Sequence, residues 1–201
     1  MATNASDEGW TAGRVAALAG PAAVTVSAVG VLGSVVLASW VVGSWFTWTG
    51  NALSHLGDPE RATAPLFNGS LVVAGVVGAA FATRVWAAGT NAWHRLGAAT
   101  LALGLLCSSL VGVYDVTESL HGPFALAYFV LLTLGLFAHG SGDALAGRPR
   151  RGVLTTWLAV AHVAGWVALA FVPFDGIALP ELVGVFGLWT WTLTVYAGLR
   201  G

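Results

Sequence analysis

Six long apolar runs dominate this chain of 201 residues. They cover residues 16–40, 66–86, 96–114, 120–139, 153–172 and 179–199. Each run is long enough to cross a hydrocarbon core of about 30 Å, which takes about 20 helical residues. The runs are apolar on all sides and lack the alternation of a barrel strand. The sequence therefore predicts an all-α polytopic membrane protein, a bundle of six transmembrane helices.

The composition excludes a soluble fold and leaves room for one domain. Hydrophobic residues make up 57% of the chain and charged residues 8%, whereas a globular domain carries about a quarter charged residues. We expect a short polar tail at residues 1–14 and a single six-helix domain at 15–201. The tail carries Asp7 and Glu8 before Arg14, and the second run follows within one loop. The first run is therefore predicted to be a retained span and not a secretory signal.

The arginines predict the orientation. With the amino terminus in the cytoplasm, seven of the eight basic residues lie inside and only Arg61 lies outside. The positive-inside rule then predicts a multi-pass protein of the cell membrane with both termini cytoplasmic. The densest basic patch, Arg148 to Arg151, falls in a predicted loop at 140–152. We interpret it as a topology anchor, with contact to anionic lipids as the alternative.

Two features of the composition exclude whole classes of chemistry. The chain has no lysine, so a retinal Schiff base or other lysine-dependent covalent catalysis is excluded. Its one cysteine, Cys107, cannot form an internal disulfide, an iron-sulfur cluster or a zinc-thiolate site. The expected surroundings are the lipid bilayer, with a lipid, a small molecule or a protein as partner. No nucleic-acid partner is expected.

Polar residues concentrate in the three connections that this topology places outside. Each contributes carboxylates, and two contribute a histidine. We expect them to form one outward-facing polar cup from Ser54, His55, Asp58, Asp115, Glu118, His121, Asp175 and Glu181. The side chains of Asp115, His121 and Asp175 should then approach within about 8 Å, close enough for water- or ion-mediated contact. The competing interpretation is local structure, because Asp115 to Glu118 fits a capping box and aspartates cap turns.

The cup residues allow metal chemistry without specifying it. Histidine and carboxylate groups bind zinc and non-haem iron, and an open site of that kind activates water for hydrolysis. His121, Asp115 and Asp175 are the candidate ligands of a divalent metal, and the sequence specifies no cofactor. A haem clamp is a further alternative, with His121 and His139 on the fourth helix and His55 and His94 as partners.

The order of the polar motifs resembles a known family. The motifs are Asn51-Ala-Leu-Ser54-His-Leu-Gly57-Asp58, an apolar helix opening near Asn68, and Tyr114-Asp115 followed by His121. This layout resembles the small prokaryotic membrane proteins catalogued as domain of unknown function 998, over residues 15–199. The family pattern implies Phe-Pro ahead of the aspartate, where this chain has Val113-Tyr114. The resemblance implies a six-helix membrane fold and no activity.

His162 lies close to the predicted bilayer midplane. We expect a neutral imidazole, hydrogen-bonded to a carbonyl or to a hydroxyl at similar depth. The hydroxyls available are those of Thr25, Ser27, Ser108, Ser109 and Thr190. A proton relay or a ligand contact in a central cavity is the functional alternative.

Three function classes stay open at this point. The first is a membrane-embedded partner or a protein that binds a lipid or small ligand, without catalysis. The second is a metal-assisted lipid hydrolase with an extracytoplasmic site. The third is a small transporter or proton-coupled carrier, for which a polar path from the cup through His162 to the inner side would be required.

Overall fold

The computed structural model describes the backbone of residues 5–200 and the side chains of residues 17–200. Within that range the chain forms six long α-helices and no strand: α1 Ala5–Val36, α2 Ala64–Ala87, α3 Ala92–Val113, α4 His121–Leu145, α5 Pro149–Leu169 and α6 Ala178–Arg200. All six contain a stretch long and apolar enough to span a membrane. The all-α transmembrane prediction is confirmed.

The helices pack as a ring in chain order. Each helix contacts the next, and α6 closes the ring by packing on α1 as well as on α5. The connections therefore lie alternately at the two ends of the bundle. We call the end with connections 37–63, 114–120 and 170–177 the acidic end, and the end with connections 88–91 and 146–148 the arginine end.

Apolar side chains fill the bundle and also cover it. The interior holds a continuous cluster that includes Phe81, Leu101, Leu132 and Trp191. Large apolar side chains are also exposed on the outside, for example Leu126, which is 67% exposed. A surface of this kind is stable against lipid tails and not against water, which fits the membrane class.

The start of the first helix differs from the predicted one. Helix α1 begins at Ala5 and continues through a π-helical turn, Leu37–Val41. Residues 5–14 of the predicted polar tail are thus helical, and residues 1–4 lie outside the described part.

The predicted loop 140–152 is wrong, because α4 runs to Leu145 and α5 begins at Pro149. Its small residues pack helices closely: a Cβ on Gly140 would meet the Gly152 carbonyl oxygen at 3.0 Å. Glycine and serine suggested a loop, but here they permit helix contact.

Candidate functional site

A buried turn covers the bundle at the acidic end. Residues Leu53–Gly57 form a 3₁₀ turn in which Leu53 and Leu56 are buried. Two side chains hold this turn at the start of α2: Thr63 Oγ1, directly before the helix, donates to the Leu56 carbonyl at 2.7 Å, and Asn68 Nδ2 on the helix donates to the Gly57 carbonyl at 2.8 Å. The turn is therefore a fixed part of the fold and not a free loop.

The same segment pairs with the connection between α5 and α6. The Gly176 amide donates to the Thr49 carbonyl at 2.8 Å, and the Ala178 amide donates to the Asn51 carbonyl at 2.9 Å. A Cβ on Gly176 would overlap the Asn51 backbone, so only glycine fits this approach. Two of the three connections at the acidic end are thus joined by backbone hydrogen bonds.

Glu181 on α6 binds the segment that contains the 3₁₀ turn. It lies in the first turn of α6, where the helix dipole favours a carboxylate, and it is buried. Its Oε2 accepts a hydrogen bond from the Leu53 amide at 2.6 Å. A carboxylate has further acceptor positions, so one bond leaves Glu181 able to bind a donor on a ligand.

His121 is the first residue of α4 and directly follows the connection 114–120. Its ring is buried, and its Nδ1 lies 2.8 Å from the Tyr114 carbonyl oxygen. A carbonyl can only accept, so Nδ1 donates. In the neutral ring Nε2 is then the acceptor and is available to a ligand or a proton.

These groups meet in a cavity of about 560 Å³ between α4, α5, α6 and the 3₁₀ turn. Ser54, His121, Thr133, His162 and Glu181 supply its polar lining, and apolar side chains supply the rest. The sequence predicted that all three connections converge. Of the eight predicted cup residues, Ser54, His121 and Glu181 line this cavity.

A smaller cavity of about 80 Å³ lies toward the bundle interior. Ser54, Phe129 and Glu181 line both cavities. Glu181 therefore lies between the large cavity and the interior of the helix bundle.

Five other predicted cup residues do not line the large cavity. They are His55, Asp58, Asp115, Glu118 and Asp175. His55 Nδ1 accepts from the Asn51 side chain at 3.2 Å, and Asp58 Oδ1 accepts from the Glu60 amide at 3.0 Å. These two side chains stabilise their own turn, as the competing interpretation expected.

Asp115 is likewise engaged in its own turn. Its Oδ1 accepts from the Thr117 amide at 2.9 Å and from the Thr117 hydroxyl at 2.6 Å. These two hydrogen bonds lower the pKa of the Asp115 carboxyl below its ordinary value. Glu118 and Asp175 are exposed. The approach of Asp115, His121 and Asp175 to within 8 Å stays a prediction.

His162 has two hydrogen-bond partners inside the bundle. The Trp166 indole Nε1 donates to His162 Nε2 at 2.8 Å, and His162 Nδ1 lies 2.8 Å from Thr133 Oγ1. Because an indole N–H only donates, Nε2 must be an acceptor and the ring is neutral. The partner hydroxyl is that of Thr133 on α4, which was not among the five expected ones.

The arginine end holds a polar cluster that sequence reasoning missed. Asp143, which is 1% exposed, lies between His94, His139, Arg148 and Arg151. It was missed because residues 140–152 were assigned to a loop. The signal available was the spacing of His139 and Asp143, which share one face of a helix at i and i+4. Arg148 and Arg151 contact Asp143, which a topology anchor alone does not require.

The cluster is the one group of three or more metal-ligating side chains that the described residues bring together, through His94, His139 and Asp143. It lies at the end opposite to the expected ligands His121, Asp115 and Asp175. The His94 and His139 rings contact each other, with centroids 4.9 Å apart, and leave no space for a haem between them.

The fold and these two polar sites define the class of a six-helix integral membrane protein with a ligand-sized cavity. The family model described as "Protein of unknown function (DUF998)" matches residues 26–198, and the chain belongs to that family. The predicted resemblance is confirmed. No curated protein and no solved structure matches the chain.

Proposed function

We propose that this protein binds a lipid-like amphiphile in the cavity between α4, α5 and α6. The single observation that carries the proposal is the shape and lining of that cavity. Its volume of about 560 Å³ falls in the range of small-molecule sites, and its walls are apolar with a few polar groups. Such a lining suits a molecule with an apolar chain and a polar head.

The cavity is accessible from the bilayer. Leu126, Leu134 and Val163 line it and are also exposed on the lipid-facing surface. A ligand can therefore enter sideways between α4 and α5 without passing through water. This route favours a lipid over a water-soluble metabolite.

The polar groups favour a head that donates hydrogen bonds. Glu181 is an acceptor, Nε2 of His121 is an acceptor in the neutral ring, and Ser54 is both donor and acceptor. A carboxylate in a low-dielectric site repels anions and binds cations or N–H and O–H donors. We therefore expect single-chain amines and alcohols to bind better than fatty acids of equal chain length.

Binding is tested with three fluorescent probes of one chain length that carry an amine, a hydroxyl or a carboxylate head. The purified protein should bind the amine and the alcohol and reject the acid. Glu181→Gln should remove the preference for the amine. Equal affinity for all three heads in the unsubstituted protein would contradict the proposed role of Glu181.

A matched pair of glycine variants tests the location. A Cβ on Gly122 or on Gly69 would meet no atom within 4 Å, and both residues are exposed on helices. Gly122 lines the cavity and Gly69 does not. Gly122→Leu should weaken probe binding while Gly69→Leu should not. An equal effect of the two substitutions would place the probe elsewhere.

A second candidate is a hydrolase, favoured by the presence of Ser54, His121 and Glu181 in one cavity. The Tyr114 carbonyl fixes His121 so that Nε2 can take the proton of a serine hydroxyl. In the metal-assisted form, His121 is the one expected ligand that lines the cavity. A fluorophosphonate probe should label Ser54 and not label Ser54→Ala. Failure to label would exclude the form of the hydrolase that uses Ser54 as nucleophile.

A further inference from the structure

The cluster at the arginine end is buried and built from three helices. His94 lies in the first turn of α3, His139 and Asp143 lie one turn apart near the end of α4, and Arg148 precedes α5. His94 is 2% exposed, His139 4% and Asp143 1%. Three buried ionisable side chains at one point of a membrane protein are costly unless a partner or a ligand offsets them.

The donor atoms have the spacing of a metal site. One ligand atom from each of His94, His139 and Asp143 lies within 4.8 Å of the others. Asp143 Oδ1 is 3.2 Å from His94 Nε2, and Asp143 Oδ2 is 3.9 Å from His139 Nε2. Two imidazoles with one carboxylate form a donor set used for zinc and non-haem iron. We propose that these three residues bind a divalent transition-metal ion.

The surroundings orient the ligands for this role. His94 Nδ1 lies 3.1 Å from Thr90 Oγ1, which leaves Nε2 directed at Asp143. Asn91 joins α3 to α4. Its Oδ1 accepts from the His94 amide on α3, and its Nδ2 donates to the Gly142 carbonyl on α4, each at 2.9 Å. Hydrogen bonds of this kind to a ligand's second nitrogen and backbone are typical of metal centres.

In the described part of the chain, four buried polar atoms of the cluster lack hydrogen bonds, and two of them are the Nε atoms of Arg148 and Arg151. The other two are His139 Nδ1 and Asp143 Oδ2. Asp143 Oδ2 is one of the atoms that would bind the ion. Leaving a buried acceptor unpaired is unfavourable, and a bound cation removes that cost at Oδ2.

Glycines make the space that the cluster occupies. A Cβ on Gly142 would meet His94 Cδ2 at 2.5 Å, and one on Gly97 would meet the His139 amide nitrogen at 2.7 Å. A cavity of about 40 Å³ lies beside His94, His139 and Asp143, and Arg148 and Arg151 also line it. A water molecule needs at least about 10–15 Å³, so this space is large enough for a water beside the three ligands.

The arginines compete with a cation for the same carboxylate. Arg148 Nε lies 3.0 Å from Asp143 Oδ1, and Arg148 Nη2 lies 3.2 Å from His94 Nε2. The Arg148 side chain is 40% exposed, so it can turn outward when an ion binds. The site then has two states, one with Arg148 on Asp143 and one with the metal there.

The charge of the cluster makes an anion the rival occupant. With neutral histidines, Asp143, Arg148 and Arg151 carry a net charge of +1, which attracts phosphate as well as repelling a metal. Substitution of Arg148 separates the two cases. Arg148→Gln should strengthen metal binding and weaken phosphate binding, because it removes one positive charge and one donor.

The test uses the full chain, purified without chelator, with Co²⁺ and Zn²⁺ as probes. We expect one ion per chain, a Co²⁺ absorption spectrum of a low-coordinate nitrogen and oxygen site, and competition by Zn²⁺. Asp143→Asn and His139→Gln should weaken binding by about 100-fold, and Arg148→Gln should strengthen it about tenfold. His55→Gln is the matched control, since His55 lies at the acidic end and should not affect binding.

If Asp143→Asn and His139→Gln fail to fold, Arg148→Gln still tests the proposal. We expect this variant to fold, because Arg151 still contacts Asp143. Absence of metal binding in both the unsubstituted protein and folded Arg148→Gln would overturn the proposal. So would phosphate binding that Arg148→Gln abolishes without any metal uptake. Equal metal binding by Asp143→Asn, His139→Gln and His55→Gln would place the ion elsewhere.

Discussion

His162 shows how this bundle holds a polar ring deep in a spanning helix. It lies 13 residues after Pro149, which is about 20 Å along α5. Trp166 donates to one ring nitrogen, and Thr133 contacts the other. The Thr133 hydroxyl itself lies 3.0 Å from the Phe129 carbonyl as donor. These three hydrogen bonds give both ring nitrogens of His162 a partner while the ring stays neutral.

Replacement of His162 tests this packing role. His162→Leu leaves the Trp166 indole and the Thr133 hydroxyl with one partner fewer, so the free energy of unfolding should fall by about 1–2 kcal/mol. Trp166→Phe removes a single hydrogen bond and should have a smaller effect, about 0.6 kcal/mol. Thermal unfolding in detergent, followed by circular dichroism, measures both. An unchanged midpoint for His162→Leu would contradict the packing role and favour a relay.

The state of His162 was predictable from the sequence, but its partner was not. Its depth follows from counting along an apolar run, and depth alone favours a neutral ring. The partner depends on which helix faces α5, and only the ring order shows that this is α4 with Thr133. Ser27, one of the expected partners, is instead 3.2 Å from the Trp189 indole nitrogen.

At the scale of elements, the spans were predictable and the end of α4 was not. Long apolar runs determine spans by themselves, because an unpaired backbone is excluded from lipid. Residues 140–145 carry Gly, Ser and Asp, which favour turns in local patterns. They are helical here because Gly142 fits against His94 on α3 and Asp143 is offset by arginines. Those contacts are tertiary, so no local pattern could show them.

Close contact between α3 and α4 should therefore depend on particular glycines. A Cβ on Gly97 would meet the His139 amide at 2.7 Å and the Gly135 carbonyl at 2.9 Å, which are backbone atoms that cannot turn aside. Gly97→Ala should lower the free energy of unfolding by about 1–3 kcal/mol. Gly122→Ala on α4 meets nothing within 4 Å and should be neutral or stabilising by up to about 1 kcal/mol.

Thermal unfolding of the two alanine variants in one detergent provides the comparison. Gly97 lies inside α3 and Gly122 in the first turn of α4, so helix propensity favours alanine at least as much at position 97. A lower stability of Gly97→Ala therefore reports helix contact. Gly97→Ala as stable as Gly122→Ala would show that α3 and α4 separate without cost. The cluster at His94 and His139 would then also tolerate that movement.

At the scale of the whole molecule, the two ends differ in charge and in structure. Six of the nine carboxylates lie at the acidic end, where a turn and two backbone hydrogen bonds cover the cavity. The arginine end has short connections, 88–91 and 146–148, and one buried aspartate that contacts two arginines. The number of spans and this asymmetry were predictable from the sequence. The separation of an acidic-end cavity from an arginine-end cluster required the helix packing.

The orientation of these ends in the membrane is a separate prediction. We expect the arginine end to face the cytoplasm, because cytoplasmic connections carry the excess of arginine.

Single cysteines report this orientation in a Cys107→Ala background, where alanine replaces a buried thiol in the apolar core. Ser119→Cys lies exposed in connection 114–120 and Ala146→Cys lies exposed in connection 146–148. A membrane-impermeant maleimide added to intact cells should label the first and miss the second, and permeabilised cells should show both. Labelling of Ala146→Cys alone in intact cells would reverse the topology and place the proposed amphiphile site on the cytoplasmic side.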